Sequence, residues 1–343
     1  MLIALHYAAT LVLSLGLALY LTPFVRQGAL SFGVLDHPDG HLKQQQAPVP
    51  YLGGIAVYLA FLLTLSMVFE LSHRLLGLLL GGTMLAMLGL FDDLRVITPR
   101  LKFAGQLLAA WVMIKSGITI DIAILPFTVT LPLTVFWLVG ITNAINLVDV
   151  ADGLATGVAA ISALGLFIVA AINGDTVIAV TTLALAGSLV GFLRYNEPPA
   201  RIYLGDAGSL FIGFMLAALA MVGQYTSRND LALAAPVLML AVPIMETVLL
   251  VIARLGHGVS PFHGSHDHMA LRLRARGFSP LKVLLFAYSL AFIGVVGGIA
   301  IVLVTWQAAA WLLSFEAALF LGVLLWLLYA CPAPVPPAAH TSA

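Results

Sequence analysis

Two adjacent carboxylates are the first residues of this sequence whose types and spacing could do chemistry. Asp92 and Asp93 end an apolar segment, and Lys102 follows nine residues after Asp93. Neighbouring carboxylates repel each other and are costly to desolvate unless a cation or another partner compensates them. A divalent metal does so, and hard oxygen ligands suit Mg²⁺, while Lys102 could contact a phosphate as a point charge. The alternative is a solvated loop whose acids and bases merely flank two helices.

A second set of polar residues recurs at every third position of an apolar stretch, as Asn143, Asn146, Asp149 and Asp152. In an α-helix each successive pair is adjacent, although the stripe drifts by about 60° per step. Amide and carboxylate groups are costly against lipid, so we expect these four to line a water-filled cavity. The alternative, helix capping, would explain Asp152 at the start of the next apolar segment. It would leave Asn146 and Asp149 unexplained.

Asp206 opens a later apolar segment and stands between Gly205 and Gly208. Taken alone, an aspartate at this position is typical of a helix N-cap. The flanking glycines permit a close backbone approach, which either a ligand or a neighbouring helix could use. The motif is therefore compatible with a binding site and with simple helix packing.

A long loop with several histidines precedes another apolar segment. His268 and Arg272 stand four residues apart on a predicted amphipathic helix, so they could present to an anion together. The alternative is an interfacial helix with ordinary basic residues, which is the interpretation that we prefer for His263 and His266. No acidic or cysteine ligands stand at a spacing typical of zinc, so these histidines do not predict a zinc site.

The composition indicates whether these motifs belong to a soluble or a membrane-embedded protein. Hydrophobic residues make up 62% of the 343-residue chain, and charged residues make up only 9%. Soluble domains carry about 25% charged residues, so the sequence predicts a membrane-embedded protein. The formal net charge is zero, without the basic excess that nucleic-acid binding requires. A single cysteine, Cys331, excludes an intramolecular disulfide and a cysteine-rich metal site.

Apolar segments of about 17–25 residues are long enough to cross a bilayer as helices, and lipid excludes unpaired strands. The sequence predicts an all-α, polytopic integral membrane protein with eleven transmembrane helices, ten being the alternative. The first segment lacks the flanking signals of a cleaved signal peptide. Residues 1–330 are predicted to form one multi-span domain, and the Pro- and Ala-rich residues 331–343 a disordered tail. The segments are 3–25, 51–70, 75–91, 101–117, 125–142, 154–172, 176–193, 207–223, 231–253, 282–304 and 309–330.

The loops between these segments differ in charge between the two faces. The loops after spans one, three, five, seven and nine hold twelve of the fifteen Lys and Arg residues, which predicts a cytoplasmic location for them and an external N-terminus. Nine of the fifteen acids lie on the same face, and this gathering indicates a cation-and-phosphate site in a membrane enzyme. The cations are Arg26, Lys43, Arg95, Arg100, Lys102, Arg194, Arg201, Arg254, Arg272, Arg274, Arg276 and Lys282; the acids are Asp36, Asp39, Asp92, Asp93, Asp149, Asp152, Glu197, Asp206 and Asp267.

The order of these motifs resembles the polyprenyl-phosphate N-acetylhexosamine-1-phosphate transferase superfamily, the glycosyltransferase family 4 type. The chain is more similar to the bacterial lipid-linked GlcNAc-1-phosphate transferases than to the phospho-MurNAc-pentapeptide translocase, whose histidine-rich pattern is missing. Five matching pieces fall in order on the predicted cytoplasmic loops. They are Asp36-His-Pro with Pro48-Val-Pro-Tyr-Leu-Gly-Gly, Asp92-Asp93 with Lys102 and Gln106, Asn143 to Gly153, Tyr195-Asn196 with Pro199 to Ser209, and Ser260-Pro-Phe with Asp267-His268.

The resemblance implies transfer of a sugar 1-phosphate, with GlcNAc 1-phosphate favoured, from a UDP-sugar to a polyprenyl phosphate of the undecaprenyl type. UMP is released, and a polyprenyl-diphosphate-linked sugar forms for cell-envelope glycan synthesis. Several phosphate charges meet in this reaction, which calls for cations; the family implies Mg²⁺, with Mn²⁺ as a substitute. The implied location is the inner (plasma) membrane with the site facing the cytoplasm. A homodimer is compatible with the resemblance.

Motif position further implies roles for individual residues. Asp92 would deprotonate or orient the lipid phosphate, and Asp152 is similar to the residue that reads the uracil. His268 and Arg272 would lie over the sugar or pyrophosphate. Which aspartate of the pair acts, and whether a base is needed at all, stays open because the second pKa of a phosphate monoester is about 6. The implied metal ligands are Asp206, Asn146 and Asp93, the implied catalytic residues are Asp92, Asp93 and His268, and the implied substrate-binding residues are Lys43, Lys102, Asn143, Asp149, Asp152 and Arg272.

The sequence also departs from the family pattern. Val150 stands where a glycine would let the backbone approach the nucleotide, and His268 is one matching histidine where relatives often show several. Another UDP-sugar therefore stays an alternative, with MurNAc-pentapeptide less favoured, and so does a catalytically degenerate relative. From another class, a transporter of a phosphorylated or cationic solute is the alternative, and functional roles for Glu246 and Glu316 within the spans would support it.

Overall fold

The computed structural model describes residues 2–36, 48–68, 73–122, 124–260, 265–331 and 333. Lys43 and His263 lie outside the described residues. Within them, two short strands, β1 (Leu35–Asp36) and β2 (Val49–Pro50), pair antiparallel, and a 3-10 segment spans Asp230–Ala234. The helices are α1 (Leu2–Ser31), α2 (Gly53–Val68), α3 (His73–Leu94), α4 (Pro99–Lys115), α5 (Phe127–Val148), α6 (Leu154–Ile172), α7 (Thr176–Asn196), α8 (Gly205–Val222), α9 (Ala235–Met239), α10 (Ala241–Gly256), α11 (Met269–Ala275), α12 (Pro280–Leu303) and α13 (Trp306–Ala330).

All eleven predicted apolar segments contain helix in the part of the chain that the structure describes. Eight of these helices are long and apolar enough to cross a bilayer, and a bent pair brings the number to nine. Helix α2 has 16 residues and α4 has 17, so at about 1.5 Å per residue both are shorter than the hydrocarbon layer of about 30 Å. The prediction of an all-α, multi-span membrane protein is confirmed.

The predicted span 231–253 is not one continuous helix. The 3-10 segment and α9 end at Met239, and α10 begins at Ala241 with its axis turned by 72°. Pro243 explains the break, because its ring has no N–H for a helical bond to Met239 and would clash with that carbonyl. The Ser162 hydroxyl on α6 donates to the Met239 carbonyl at 2.7 Å, so the freed oxygen is satisfied away from water.

The loops predicted to share one face meet at one end of the bundle, which we call the motif end. Arg26, near the end of α1, donates from Nε to the Arg201 carbonyl at 2.9 Å, and the Tyr203 N–H donates to the Pro50 carbonyl at 2.9 Å. At the opposite end, the Asn229 amide donates to two carbonyls at the end of α12, at 2.9 and 3.0 Å. The acidic motifs fall at the motif end.

Helix α8 occupies the centre of the bundle. Every residue from Gly205 to Ala220 is buried except Asp206, and α3 and α5 pack along this helix. The peripheral helices α1 and α13 instead expose large apolar side chains such as Tyr20 and Trp311, as expected of surfaces that contact lipid. Asp206 is thus the one accessible residue of the central stretch, and it lies at the motif end.

Candidate active site

A carboxylate from another helix holds the N-terminus of α8. Asp93, in the last turn of α3, accepts hydrogen bonds from the Asp206 N–H at 2.8 Å and the Ala207 N–H at 3.0 Å. These N–H groups have no partner inside their own helix, and the helix dipole favours a negative charge there. Gly205 has φ +73°, and a Cβ on it would lie 2.7 Å from Asp93 Oδ2, so this turn requires glycine. Asp93 therefore fixes the position of Asp206.

The backbones of α3 and α8 are in direct contact beside this cap. A Cβ added at Gly89 would lie 2.2 Å from the Asp206 carbonyl oxygen and 2.4 Å from the Ala207 nitrogen. Because Gly89 stands four residues before Asp93, one face of α3 carries both the close approach and the capping carboxylate. Any side chain at position 89 would push the start of α8 away from α3.

Lys102 joins acids from two different helices. Its Nζ donates to Asp206 Oδ2 at 2.5 Å and forms an ion pair with Asp92 Oδ2. Asp92 also accepts from the Ile97 N–H at 2.8 Å, and Thr98 caps α4, so Lys102 stands in the first turn of that helix. The Lys102, Asp92 and Asp206 side chains are 24%, 9% and 27% exposed, which shields these charges from water only in part.

Helix α5 contributes two of the predicted asparagines. Asn146 Nδ2 donates to Asp206 Oδ1 at 2.6 Å and to Ser209 Oγ at 2.8 Å. One turn earlier, the side-chain amides of Asn143 and Gln106 exchange hydrogen bonds of 2.7 and 3.2 Å. Gln106 lies one turn beyond the lysine on α4. The amide pair therefore sets α4 against α5 and brings the lysine and Asn146 to the same aspartate.

The turn after α5 carries the last two predicted acids. Asp152 Oδ2 accepts from the Ala200 N–H at 2.9 Å, and Asn196 Oδ1 accepts from the Gly153 N–H at 3.2 Å. Gly153, not Asp152, is the N-cap of α6, so Asp152 fastens the loop 197–204 instead. Burial raises the pKa of both Asp149 and Asp152, for Asp149 well above its usual range, because the charged form loses solvation. The carboxylates of neighbouring acids raise the pKa of Asp149 further.

The oxygen atoms at the motif end suit a hard cation. Among the described residues, no three acidic, histidine or cysteine side chains surround one point as metal ligands. The carboxylates of Asp92 and Asp206 nevertheless converge on one positive group, the Lys102 ammonium, so the space between them accepts a cation. Carboxylate and amide oxygens are the ligands that Mg²⁺ prefers, and Asn146 supplies the amide. The residues present therefore fit Mg²⁺.

Arg272 has a different environment from the one that its spacing predicted. The side chain is 4% exposed, and its guanidinium donates to the Asp267 carboxylate at 2.7 Å and to the carbonyls of Leu327 and Cys331 at 3.1 and 2.8 Å. These bonds fasten α11 to the end of α13. Cys331, the first residue of the predicted disordered tail, is itself buried; the rest of that tail, apart from residue 333, lies outside the described residues.

His268 pairs with Glu246, a residue for which the sequence suggested a role only in the alternative transporter function. Its Nδ1 lies 2.9 Å from Oε1 of Glu246, whose side chain is 2% exposed. Glu316 is also buried, and its Oε2 has no hydrogen-bond partner among the described residues. A lone acid in an apolar segment indicates a buried partner, and this signal could have directed attention to Glu246. Asn196 holds the turn before α6, although the sequence indicated it only as part of a longer motif.

Fold and site together define a class of protein. Carboxylates, amides and a lysine from four different helices meet at one end of a membrane-spanning bundle, and the adjoining loops add two more acids. Such a concentration of hard ligands and charge at a membrane surface is typical of an integral-membrane enzyme that acts on phosphorylated substrates.

Comparison with known proteins identifies the family. The sequence profile of glycosyl transferase family 4 matches residues 75–224, which include Asp92, Lys102, Asn146 and Asp206. A Bacillus subtilis protein is 32% identical to this chain over 313 residues, which cover 89% of this chain and 86% of the relative's length. That relative is named as a probable undecaprenyl-phosphate N-acetylglucosaminyl 1-phosphate transferase. The chain belongs to glycosyl transferase family 4, as its motifs predicted.

Relatives from two branches of the family match the chain. A decaprenyl-phosphate N-acetylglucosaminephosphotransferase of Mycobacterium leprae is 32% identical and covers 70% of this chain and 70% of its own. A phospho-N-acetylmuramoyl-pentapeptide-transferase of Caldanaerobacter subterraneus is 35% identical over 59% of this chain and 70% of its own. The match to proteins named for GlcNAc thus extends over more of the chain.

Proposed function

We propose that this chain transfers GlcNAc 1-phosphate from UDP-GlcNAc to a polyprenyl phosphate and releases UMP. An oxygen of the polyprenyl phosphate attacks the phosphorus that bears the sugar; a new P–O–P bridge forms, and the bond from that phosphorus to UMP breaks. The observation that carries the proposal is the convergence of Asp92, Lys102 and Asp206, since the reaction joins anions that need cations. The names of relatives that span most of the chain support this sugar and this acceptor.

The site residues divide the tasks of this reaction by their contacts. Lys102 binds a phosphate oxygen after leaving one of its two carboxylate partners, and Asp92 orients the lipid phosphate beside it. Asp93 acts through the two N–H groups that position Asp206 and adjoins the metal ligands. When bound by Asp206 and Asn146, Mg²⁺ would offset the charge of the diphosphate and polarise its phosphorus–oxygen bonds.

The loops around α6 and α11 provide the proposed contacts to the nucleotide and the sugar phosphate. Asp152 is held through Oδ2 by the Ala200 N–H, which leaves its other oxygen to accept the imide N–H of a uracil. Asn143 and Asp149 line the approach from α5, and His268 contacts the sugar or diphosphate. We place this end of the bundle at the cytoplasmic face of the plasma membrane, where a soluble UDP-sugar and a lipid phosphate can meet; the excess of Lys and Arg on these loops supports that orientation.

The proposal is tested with the purified protein in detergent, a polyprenyl phosphate and a panel of UDP-sugars, with UMP release as the readout. We expect release with UDP-GlcNAc, its loss on chelation of divalent metal, and its recovery with added Mg²⁺. Asp206→Ala and Asp92→Ala should each abolish release, whereas Asp230→Ala, at an exposed acid on the opposite end, should not.

Three other outcomes would contradict parts of the proposal. Full activity in both Asp206→Ala and Asp92→Ala would overturn the site, and release with only a different UDP-sugar would replace the donor. Flux of a phosphorylated solute into proteoliposomes without any UMP release would replace the enzyme by a transporter.

A further inference from the structure

We infer that Glu246 is a positioning residue that orients His268 toward the phosphates of the sugar-nucleotide donor. The inference deepens the proposed function and rests on it. Glu246 stands on α10, 22 residues before its partner, and its Oε1 lies 2.9 Å from His268 Nδ1. The carboxylate is 2% exposed and the imidazole 12% exposed, so a nearly buried acid holds a histidine that still reaches the surface of the protein.

Glu246 is built into its surroundings by more than this one contact. The Met269 N–H donates to its Oε1 and Oε2 at 3.3 and 3.2 Å, so the carboxylate also caps α11. Arg254, two turns further along α10, interacts with the charge of Glu246 and with that of Asp267. A buried carboxylate needs such donors and cations. These contacts keep the acid in place, and they leave it unsuited to the cation path that a transporter would need.

The bond at Nδ1 determines what the other ring nitrogen can do. An ionised carboxylate only accepts hydrogen bonds, so His268 carries a proton on Nδ1 when it faces Glu246. Nε2 then carries either a lone pair or a second N–H, and it forms no hydrogen bond among the described residues. A phosphate oxygen accepts hydrogen bonds, so it selects the doubly protonated ring. The buried carboxylate balances the charge of that form and fixes the plane of the ring.

Among the charged groups near this pair, Arg254 interacts with Glu246 and Asp267, whereas Arg272 and His257 lie against Asp267. Arg272 and Asp267 neutralise each other at 2.7 Å, and His257 Nδ1 lies 3.8 Å from the same aspartate. Helix α10 packs against α5, the helix that carries Asn143 and Asn146. The His268–Glu246 pair is thereby connected through one helix contact to the group around Asp206.

Kinetics of isosteric variants test the inference. Glu246→Gln keeps the volume and an acceptor for the Met269 N–H, but its amide can face Nδ1 with either its oxygen or its N–H₂ group, so it no longer holds the ring proton on Nδ1. We expect kcat for UMP release to fall by about 10–100-fold with little change in the KM for the UDP-sugar, and Glu246→Asp to recover part of the rate. Glu316→Gln, at another buried acid within a span, should behave as wild type.

A double-mutant cycle separates positioning from a merely structural role. In a His268→Ala background, Glu246→Gln should cause no further loss of kcat, because Glu246 acts through the missing ring. Losses that add fully in the double variant would overturn the inference, since they would show that Glu246 supports the site by another route.

A ligand-free measurement keeps this test independent of the reaction. Carbethoxylation by diethyl pyrocarbonate, followed for individual histidines by mass spectrometry, reports a free ring nitrogen. We expect Glu246→Gln to slow modification of His268 severalfold relative to His257, whose side chain is 62% exposed. An unchanged ratio would refute the pairing. A shifted ratio in a protein that releases no UMP would retain the pairing and refute the proposed function.

Discussion

Replacement of Gly89 by alanine tests the geometry at the centre of the site. A Cβ at this position would lie 2.2 Å from the Asp206 carbonyl oxygen, and ordinary contact begins at 3.4 Å, so the two groups must separate by at least 1.2 Å, the difference between these distances. The obstacle is backbone, which no side-chain rotation can move aside. The start of α8, with its aspartate, must therefore shift away from α3 and from the capping carboxylate of Asp93.

The expected effect on rate is larger than the effect on stability. Overpacking costs about 1–3 kcal/mol, and alanine in place of a helical glycine returns about 1 kcal/mol. The free energy of unfolding should thus fall by about 0–2 kcal/mol. A misplacement of about 1 Å in a catalytic constellation costs on the order of 10²-fold in rate, which corresponds to about 2.7 kcal/mol of transition-state stabilisation.

Initial rates of UMP release and thermal unfolding of the same purified samples measure the two effects. Gly140→Ala is the matched control, since Gly140 lies inside α5, one turn before Asn143, and no described atom of a neighbouring helix lies within 4 Å of an added Cβ. That variant should retain the wild-type rate and gain slightly in stability. A wild-type rate in Gly89→Ala would show that the contact between α3 and α8 does not set the position of Asp206, and the structural reasoning would fail.

Two further predictions concern the charges of the site. Lys102→Met should raise the affinity of the ligand-free protein for Mn²⁺ and lower UMP release, because the variant lacks the ammonium between Asp92 and Asp206. Electron paramagnetic resonance measures the Mn²⁺ affinity, and weaker Mn²⁺ binding would contradict the prediction. Burial raises the pKa of the Asp149 carboxyl in the folded protein. The stability that its protonated form contributes is therefore fully present below the unfolded pKa of about 4, and it is lost as the pH rises through the higher folded pKa. Asp149→Asn should therefore match wild type in thermal unfolding at pH ~4 and exceed it increasingly as the pH rises above that value, and a gap that narrows with rising pH would refute the reasoning.

The helices could be predicted from the sequence because the bilayer imposes a length and an apolar composition on each span. All eleven predicted segments contain helix in the described chain. The break at Met239 could not be located by hydropathy, although Pro243 was a visible signal. Whether a proline bends a span depends on a partner for the freed carbonyl, and that partner, Ser162 on α6, is 77 residues away in sequence.

The candidate site was predictable as a set of residues but not as a set of contacts. Motif order placed Asp92, Lys102 and Asp206 at one end of the bundle, where the structure joins them. The same reasoning gave Arg272 a substrate anion to bind, whereas its donors meet the Asp267 carboxylate and two carbonyls at the end of α13. Spacing along a helix shows which side chains share a face, but the acceptor opposite that face comes from another part of the chain. For the same reason, Glu246 could not be assigned as the partner of a histidine on a later loop.

The charge balance of the site imposes an order on the proposed reaction. Of the acids at the motif end, Asp92, Asp93, Asp149, Asp152 and Asp206 belong to the proposed site, and both proposed substrates are anions. Two like unit charges 4 Å apart repel by about 4 kcal/mol at an effective dielectric constant of 20, so a phosphate needs a cation there before it can approach. The single positive charge of Lys102 is shared between two of these carboxylates, those of Asp92 and Asp206. On the proposed function, the lysine would turn to a phosphate only when another cation takes its place, so metal entry and release of the lysine would be two halves of one exchange. On the proposed function, a divalent metal would therefore bind before the sugar nucleotide, and the charge of Lys102 would serve first the acids and then the substrate.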